Sequence, residues 1–121
     1  MVESATDRRR KRIVQHTVDG FTNAQAAIIF GNTVNKLVNE KIGACKFRQH
    51  IGARGTGLAV TEGWTGPTVL KTTFLELDDD KAHFICDQFS HVLKIYNDVH
   101  RAHLSIVDKV IRGKPQPQFV R

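Results

Sequence analysis

"TNAQAAIIFGNTVNKLVNEKIGACKFRQHIGARGTG", residues 22–57, decides how the chain is read: it opens as an alanine-rich amphipathic run and closes in a glycine-rich loop centred on Arg54. Thr22 and Asn23 are N-cap types. Behind them Ala24, Ala27, Ile28, Val34, Leu37, Val38 and Ile42 recur at three- and four-residue spacings, the pattern of a helix with one buried face. Gly31-Asn32 falls inside this run. The dipeptide either costs one continuous helix about 1 kcal/mol or divides it into two short ones. Gly43 is placed to stop the helix. Beyond it the period becomes two: Cys45, Phe47 and Ile51 share one side of a strand, and Lys46, Arg48 and His50 form a basic row on the other.

Working outward, Gly52 to Gly57 lead into Leu58–Thr61, and Gly63-Trp64-Thr65-Gly66-Pro67 punctuates before the β-branched run Thr68–Leu77. Three antiparallel strands joined by hairpins are expected. Upstream, Thr6 and Asp7 precede Ile13, Val14, Val18 and Phe21, whose loose spacing suggests a short first helix. Downstream, Asp78, Asp79 and Asp80 suit a helix N-terminus, and Lys109, Arg112, Gly113 and Pro115 suit its end. Between them Ile85, Phe89, Val92, Tyr96, Val99, His103, Ile106 and Val110 alternate spacings of four and three, a 3.5-residue seam. Such a helix would run about 50 Å at 1.5 Å per residue, more than a small domain easily covers. Homodimerisation through residues 80–112 is therefore expected; a bend at Asn97-Asp98 into a helical hairpin is the competing arrangement.

The fold class read from these elements is α+β: N-terminal helices, a three-stranded antiparallel sheet and a long C-terminal helix. Residues 1–20 form a basic arm or short helix, residues 21–113 a single α+β domain and residues 114–121 an irregular tail. With 121 residues, 40% hydrophobic and 25% charged, the chain has the composition of one globular domain. No apolar stretch reaches the 18 or more residues of a membrane span, and the N-terminus is too polar for a secretory signal, so an intracellular protein is expected, cytoplasmic or, in a eukaryote, nuclear. Cys45 and Cys86 lack a C-x-x-C spacing and read as buried thiols.

Eighteen Lys plus Arg against twelve Asp plus Glu give a net charge of +6, with Arg8, Arg9, Arg10, Lys11 and Arg12 consecutive. Such a run attracts polyanions and releases their counterions. The same charges also suit a solvated tail, an acidic protein partner or an anionic membrane surface. Ala27, Gly31 and Leu37 have the spacing with which two helices pack at a steep turn. With the strand, loop and strand that follow, residues 6–63 resemble a winged helix-turn-helix domain. That resemblance implies Thr33, Asn35, Lys36, Asn39 and Lys41 at a DNA groove and Arg54 on the wing; Asn32 and Glu40 depart from the pattern. Ile51-Gly52-Ala53-Arg54-Gly55 looks like the GXXG loop of KH domains, although its flanks read as strands where that loop joins helices. In a wingless arrangement Lys46, Arg48 and His50, with the N-terminal arginines, would clamp a phosphate backbone without reading sequence.

His100 with His103, and His83 with Cys86, share helix faces, but neither pair has the further ligands of a metal motif. Cys45 or Cys86 would need an activating base to act as a nucleophile, and Ser90 and Ser105 sit mid-helix in this reading. No phosphate-binding loop, dinucleotide fingerprint or deaminase zinc signature is present. No catalytic residue, metal or cofactor is therefore expected. Trp64 either plugs the core edge or stands at a hairpin tip where its ring can stack.

The leading expectation is a small, basic, non-enzymatic nucleic-acid-binding homodimer, preferring DNA to RNA. Its contacts would come from Arg8, Arg9, Arg10, Lys11, Arg12, Lys36, Lys41, Lys46, Arg48 and Arg54. The alternative is a subunit or accessory protein, viral or phage proteins included, that binds a small anionic ligand or a protein partner.

Overall fold

In the computed structural model, which describes residues 12–43, 45–55, 58–61 and 63–112, six elements follow in the order β1 (Arg12–Phe21), α1 (Ala24–Lys41), β2 (Phe47–Ala53), β3 (Thr68–Leu77), α2 (Asp79–His100) and β4 (Ser105–Arg112). The strands form one antiparallel sheet in the order β2-β3-β1-β4. Both helices pack on one face of it, α1 mainly over β2 and β3 and α2 mainly over β1. This is the βαββαβ, ferredoxin-like arrangement. The α+β class holds, but among the described residues the sheet has four strands and no wing.

The first expected helix is a central strand. Val14, His16 and Val18 alternate toward the helices, and all three are fully buried. His16 is the residue that misled the periodicity. Counted as polar, it hid a two-residue repeat; in the core its ring stacks on Phe89 at 4.0 Å between centroids and meets Phe74 edge-on at 5.8 Å. Flanked by Ile13, Thr17 and Val18, this segment also carries the β-branched composition of a strand.

The run from Ala24 to Lys41 is one helix with no turn at Gly31. Asn23 caps it, its Oδ1 accepting from the Ala26 N–H at 2.9 Å, and Gly43, at φ +87°, follows its end. Gly31 instead leaves room for the Gln49 side chain: a Cβ there would stand 3.2 Å from the Gln49 amide, which donates to the Gly31 carbonyl at 3.2 Å. Ala27, Phe30, Val34 and Val38 line the buried face. Ala27 and Gly31 thus pack helix on sheet, and Leu37 lies on the same uninterrupted helix, so a helix-turn-helix is ruled out geometrically.

The long C-terminal helix is also corrected. Asp78 caps α2 through its Oδ1 and the Lys81 N–H at 2.8 Å, but the helix stops at His100, with Arg101 left-handed at φ 50°. Asn97 neither bends nor breaks it. Its amide clamps the following turn, Nδ2 donating to the Leu104 carbonyl and Oδ1 accepting from the Leu104 N–H, both at 3.0 Å. Residues 105–112 then pair with β1, so Ile106 and Val110 of the expected helical seam belong to a strand. Ile85 and Phe89 of that seam are buried within the protomer. The expected strand Leu58–Thr61 is reduced to a single bridge, Ala59 to Gly52.

Candidate functional site

The two sheet edges differ. At β2, the downstream chain folds back along the strand. The Ala53 N–H donates to the Leu58 carbonyl at 2.7 Å and the Val60 N–H to the Ile51 carbonyl at 3.2 Å. Gly52 permits this, because a Cβ there would lie 3.1 Å from the Leu58 carbonyl oxygen. Ile51, Gly52 and Ala53 are therefore strand, and the KH-type loop is corrected. The same connection is tied at its other end to α1, whose Ala24 N–H donates to the Trp64 carbonyl at 3.2 Å. Trp64 is half-exposed and its indole N–H reaches the Pro67 carbonyl at 3.4 Å. At β4, pairing runs to β1 on one side, and among the described residues no strand covers the other.

The two sheet faces differ as well. Helix-facing positions are mainly apolar, with buried His16, Thr68 and Thr72 among them: Phe47 packs on Phe74 at 5.4 Å between centroids, and Leu70 is buried. On the opposite face the register puts Arg48 beside Thr73 and His50 beside Lys71, with Gln15 and Thr17 on the adjoining β1. Arg48, His50 and Lys71 are exposed. Gln15 Nε2 donates to Thr73 Oγ1 at 3.2 Å. The acid on this face, Asp19, pairs with Arg54 at 3.2 Å, reaching across β3 from the end of β2.

The expected nucleic-acid residues do not converge. Lys36 and Lys41 are exposed on α1 in the helix layer, and Arg48 lies on the sheet face behind it. Arg54 is engaged with Asp19, and Arg12 with Asp79 at the start of α2, Nε to Oδ1 at 2.9 Å. Lys46 borders a cleft of about 330 Å³ with Cys45, Glu76, Asp78 and Lys81. Burial pushes the Cys45 thiol above its ordinary range, against the opposing pull of Lys81. Arg8, Arg9, Arg10 and Lys11 lie outside the described residues. Lys71, absent from the sequence-based set, is the residue that β2–β3 pairing brings to Arg48 and His50; its place in an alternating strand was legible, its neighbours were not.

On the helix layer, Ile29, Thr33, Val92, Ile95, Tyr96, Val99 and His100 line an open groove of about 290 Å³. Ile29 and Ile95 are each 48% exposed and Val99 68%. Tyr96 packs against His100 at 4.3 Å, and burial raises its phenol pKa. His83 lies 3.3 Å from Asp87 on the surface, and no group of three or more His, Cys, Asp or Glu able to hold a metal ion occurs among the described residues. None of the described helices is long and apolar enough to cross a membrane.

No protein-family model matches the chain, and comparison with curated protein sequences gives no match. Solved structures share its fold. A protein designated an amidohydrolase/peptidase from Burkholderia cenocepacia is similar at TM-score 0.59 and 14% identity, over 89% of this chain and 30% of that one. A hydantoinase/carbamoylase family amidase from Burkholderia ambifaria gives 0.57 and 10%, over 87% and 28%. A protein designated an aminohydrolase from methicillin-resistant Staphylococcus aureus gives 0.54 and 12%, over 90% and 32%. At these identities the likeness is one of fold, and the chain spans about a third or less of each neighbour. The expectation of a DNA-binding winged helix is overturned: the shared fold is the four-stranded βαββαβ arrangement, the proteins that share it are named as hydrolases, and none of these comparisons points to nucleic-acid binding. The expectation of a non-enzyme is corrected to this extent: the proteins that share the fold are themselves designated hydrolases.

Proposed function

We propose that the chain is an association domain, a subunit or accessory module whose fold is the one found as a segment of amidohydrolases, and that two copies join through residues 80–112 with β4 as the contact strand. The observation that carries this reading is the difference between the sheet edges: residues 58–60 lie along the Ile51–Ala53 end of β2, and β4 has no covering strand at any point among the described residues. An uncovered edge offers a row of backbone donors and acceptors that a second strand satisfies, as in strand addition. A two-fold pairing of β4 with its copy would extend the sheet from four strands to eight. Exposed Val107 adds apolar area beside the new ladder. The fold shared with parts of larger hydrolases supports a role within an assembly.

Sedimentation velocity across a concentration series tests this directly. The expected result is a dimer that Ser105→Lys/Val107→Lys converts to monomer, because both positions are exposed in the protomer and two-fold pairing sets the introduced charges near their mates. A wild-type monomer at every concentration would overturn the reading.

A further inference from the structure

We propose that the sheet face turned away from the helices docks an acidic segment of a protein partner, held by Arg48, His50 and Lys71. This does not rest on self-pairing, because the three residues lie on β2 and β3, across the sheet from β4.

Arg48 stands opposite Thr73 and His50 opposite Lys71, so the four residues occupy the corners of one sheet cell. Neighbouring strands are about 4.8 Å apart and alternate residues along a strand about 6.8 Å apart, which sets the size of that cell. Three corners carry basic groups and the fourth a hydroxyl. Among the described residues, Arg48, His50 and Lys71 have no ion-pair partner, whereas Asp19 on this face is already held by Arg54. Unneutralised positive charge gathered on one open surface is complementary to carboxylates.

Shape selects between anionic partners. Small ligands bind best where concave walls bury most of their surface, whereas a pleated sheet face presents a broad platform. Alternate side chains of an extended acidic segment repeat at the same spacing as Arg48 and His50, so two carboxylates reach both rows of the cell at once. Thr17 and Gln15 continue the polar platform across β1.

The probe is the peptide acetyl-Glu-Thr-Glu-Thr-Glu-amide, titrated into the isotope-labelled full chain at low salt and followed by amide NMR shifts. Pyrophosphate, a single-stranded oligonucleotide and the Gln-for-Glu peptide are titrated in parallel. The expected result is saturable shifts centred on residues 48–50 and 71–73 with the acidic peptide, absent with its Gln counterpart. Arg48→Glu/Lys71→Glu should weaken binding by about tenfold or more; Arg48→Gln/Lys71→Gln replaces it if charge reversal perturbs the fold. Shifts confined to residues 1–12, shifts insensitive to both double variants, or tighter binding of pyrophosphate or the oligonucleotide at this cell would overturn the proposal.

Discussion

Strand β2 is covered at its Ile51–Ala53 end by its own downstream chain, with Leu58–Val60 folded along it and Gly52 close to the Leu58 carbonyl, whereas β4 ends the opposite side of the same sheet with no described strand beyond it. Both strands are short, and both pair with one neighbour through an antiparallel ladder. The difference lies in the connections. A 14-residue link from Arg54 to Pro67 separates β2 from β3 and has the length to return along the edge, while the turn between α2 and β4 is pinned tightly by Asn97. An edge is protected when the chain beside it has spare backbone to satisfy its donors and acceptors; β4 receives no such cover from the described chain.

Removing the cover is expected to have the largest effect. Gly52→Val places a side chain against the Leu58 carbonyl and should destabilise the protein by about 1–3 kcal/mol in urea unfolding while opening β2 to association. Wild-type stability and edge protection in that variant would break the contrast. Asn97→Ala removes two hydrogen bonds that set the entry of β4. A loss of about 1–3 kcal/mol is expected, with amide exchange accelerating in β4 before β2. Equal acceleration at both edges would show that the clamp has no local role.

Ser105→Lys/Val107→Lys acts on association with little effect on protomer stability. Its dissociation constant should rise by about tenfold or more, equivalent to about 1.4 kcal/mol. Arg54→Ala has the smallest expected effect, since the pair with Asp19 is more than a third exposed on both sides. It should cost under about 1 kcal/mol, and the cost should vanish in high salt. A larger, salt-insensitive loss would mean that Arg54 anchors the covering connection.

The sequence was most legible where one periodicity ran without interruption. The strand around Phe47–Ile51, the strand Thr68–Leu77, the caps at Asn23 and Asp78 and the stop at Gly43 were all readable from local pattern. It misled where one residue type serves two environments. His16 is polar in a residue count and stacked in the core; Gly31 weakens a helix by propensity and leaves room for the Gln49 amide that bonds its carbonyl. The seam from Ile85 to Val110 joined a helix and a strand into one apparent repeat, because Ile and Val at intervals satisfy either period over so few positions. Lys46, Arg48 and His50 read as a basic row from alternation alone, but Lys71 joins Arg48 and His50 only through the β2–β3 ladder.

Local chemistry and spacing within a few residues were enough for a basic α+β chain, for the alternation that puts Arg48 and His50 on one side of β2, for the N-caps of both helices and for the stop of α1 at Gly43; the stop of α2 at His100 was not among them. Only the fold places residues 12–21 in the sheet interior, lays residues 58–60 along the Ile51–Ala53 end of β2 while no described strand flanks β4, and puts the basic residues on opposite layers. Those outcomes depend on pairing between segments tens of residues apart, whose register is fixed by burial of whole faces and carries no local signature.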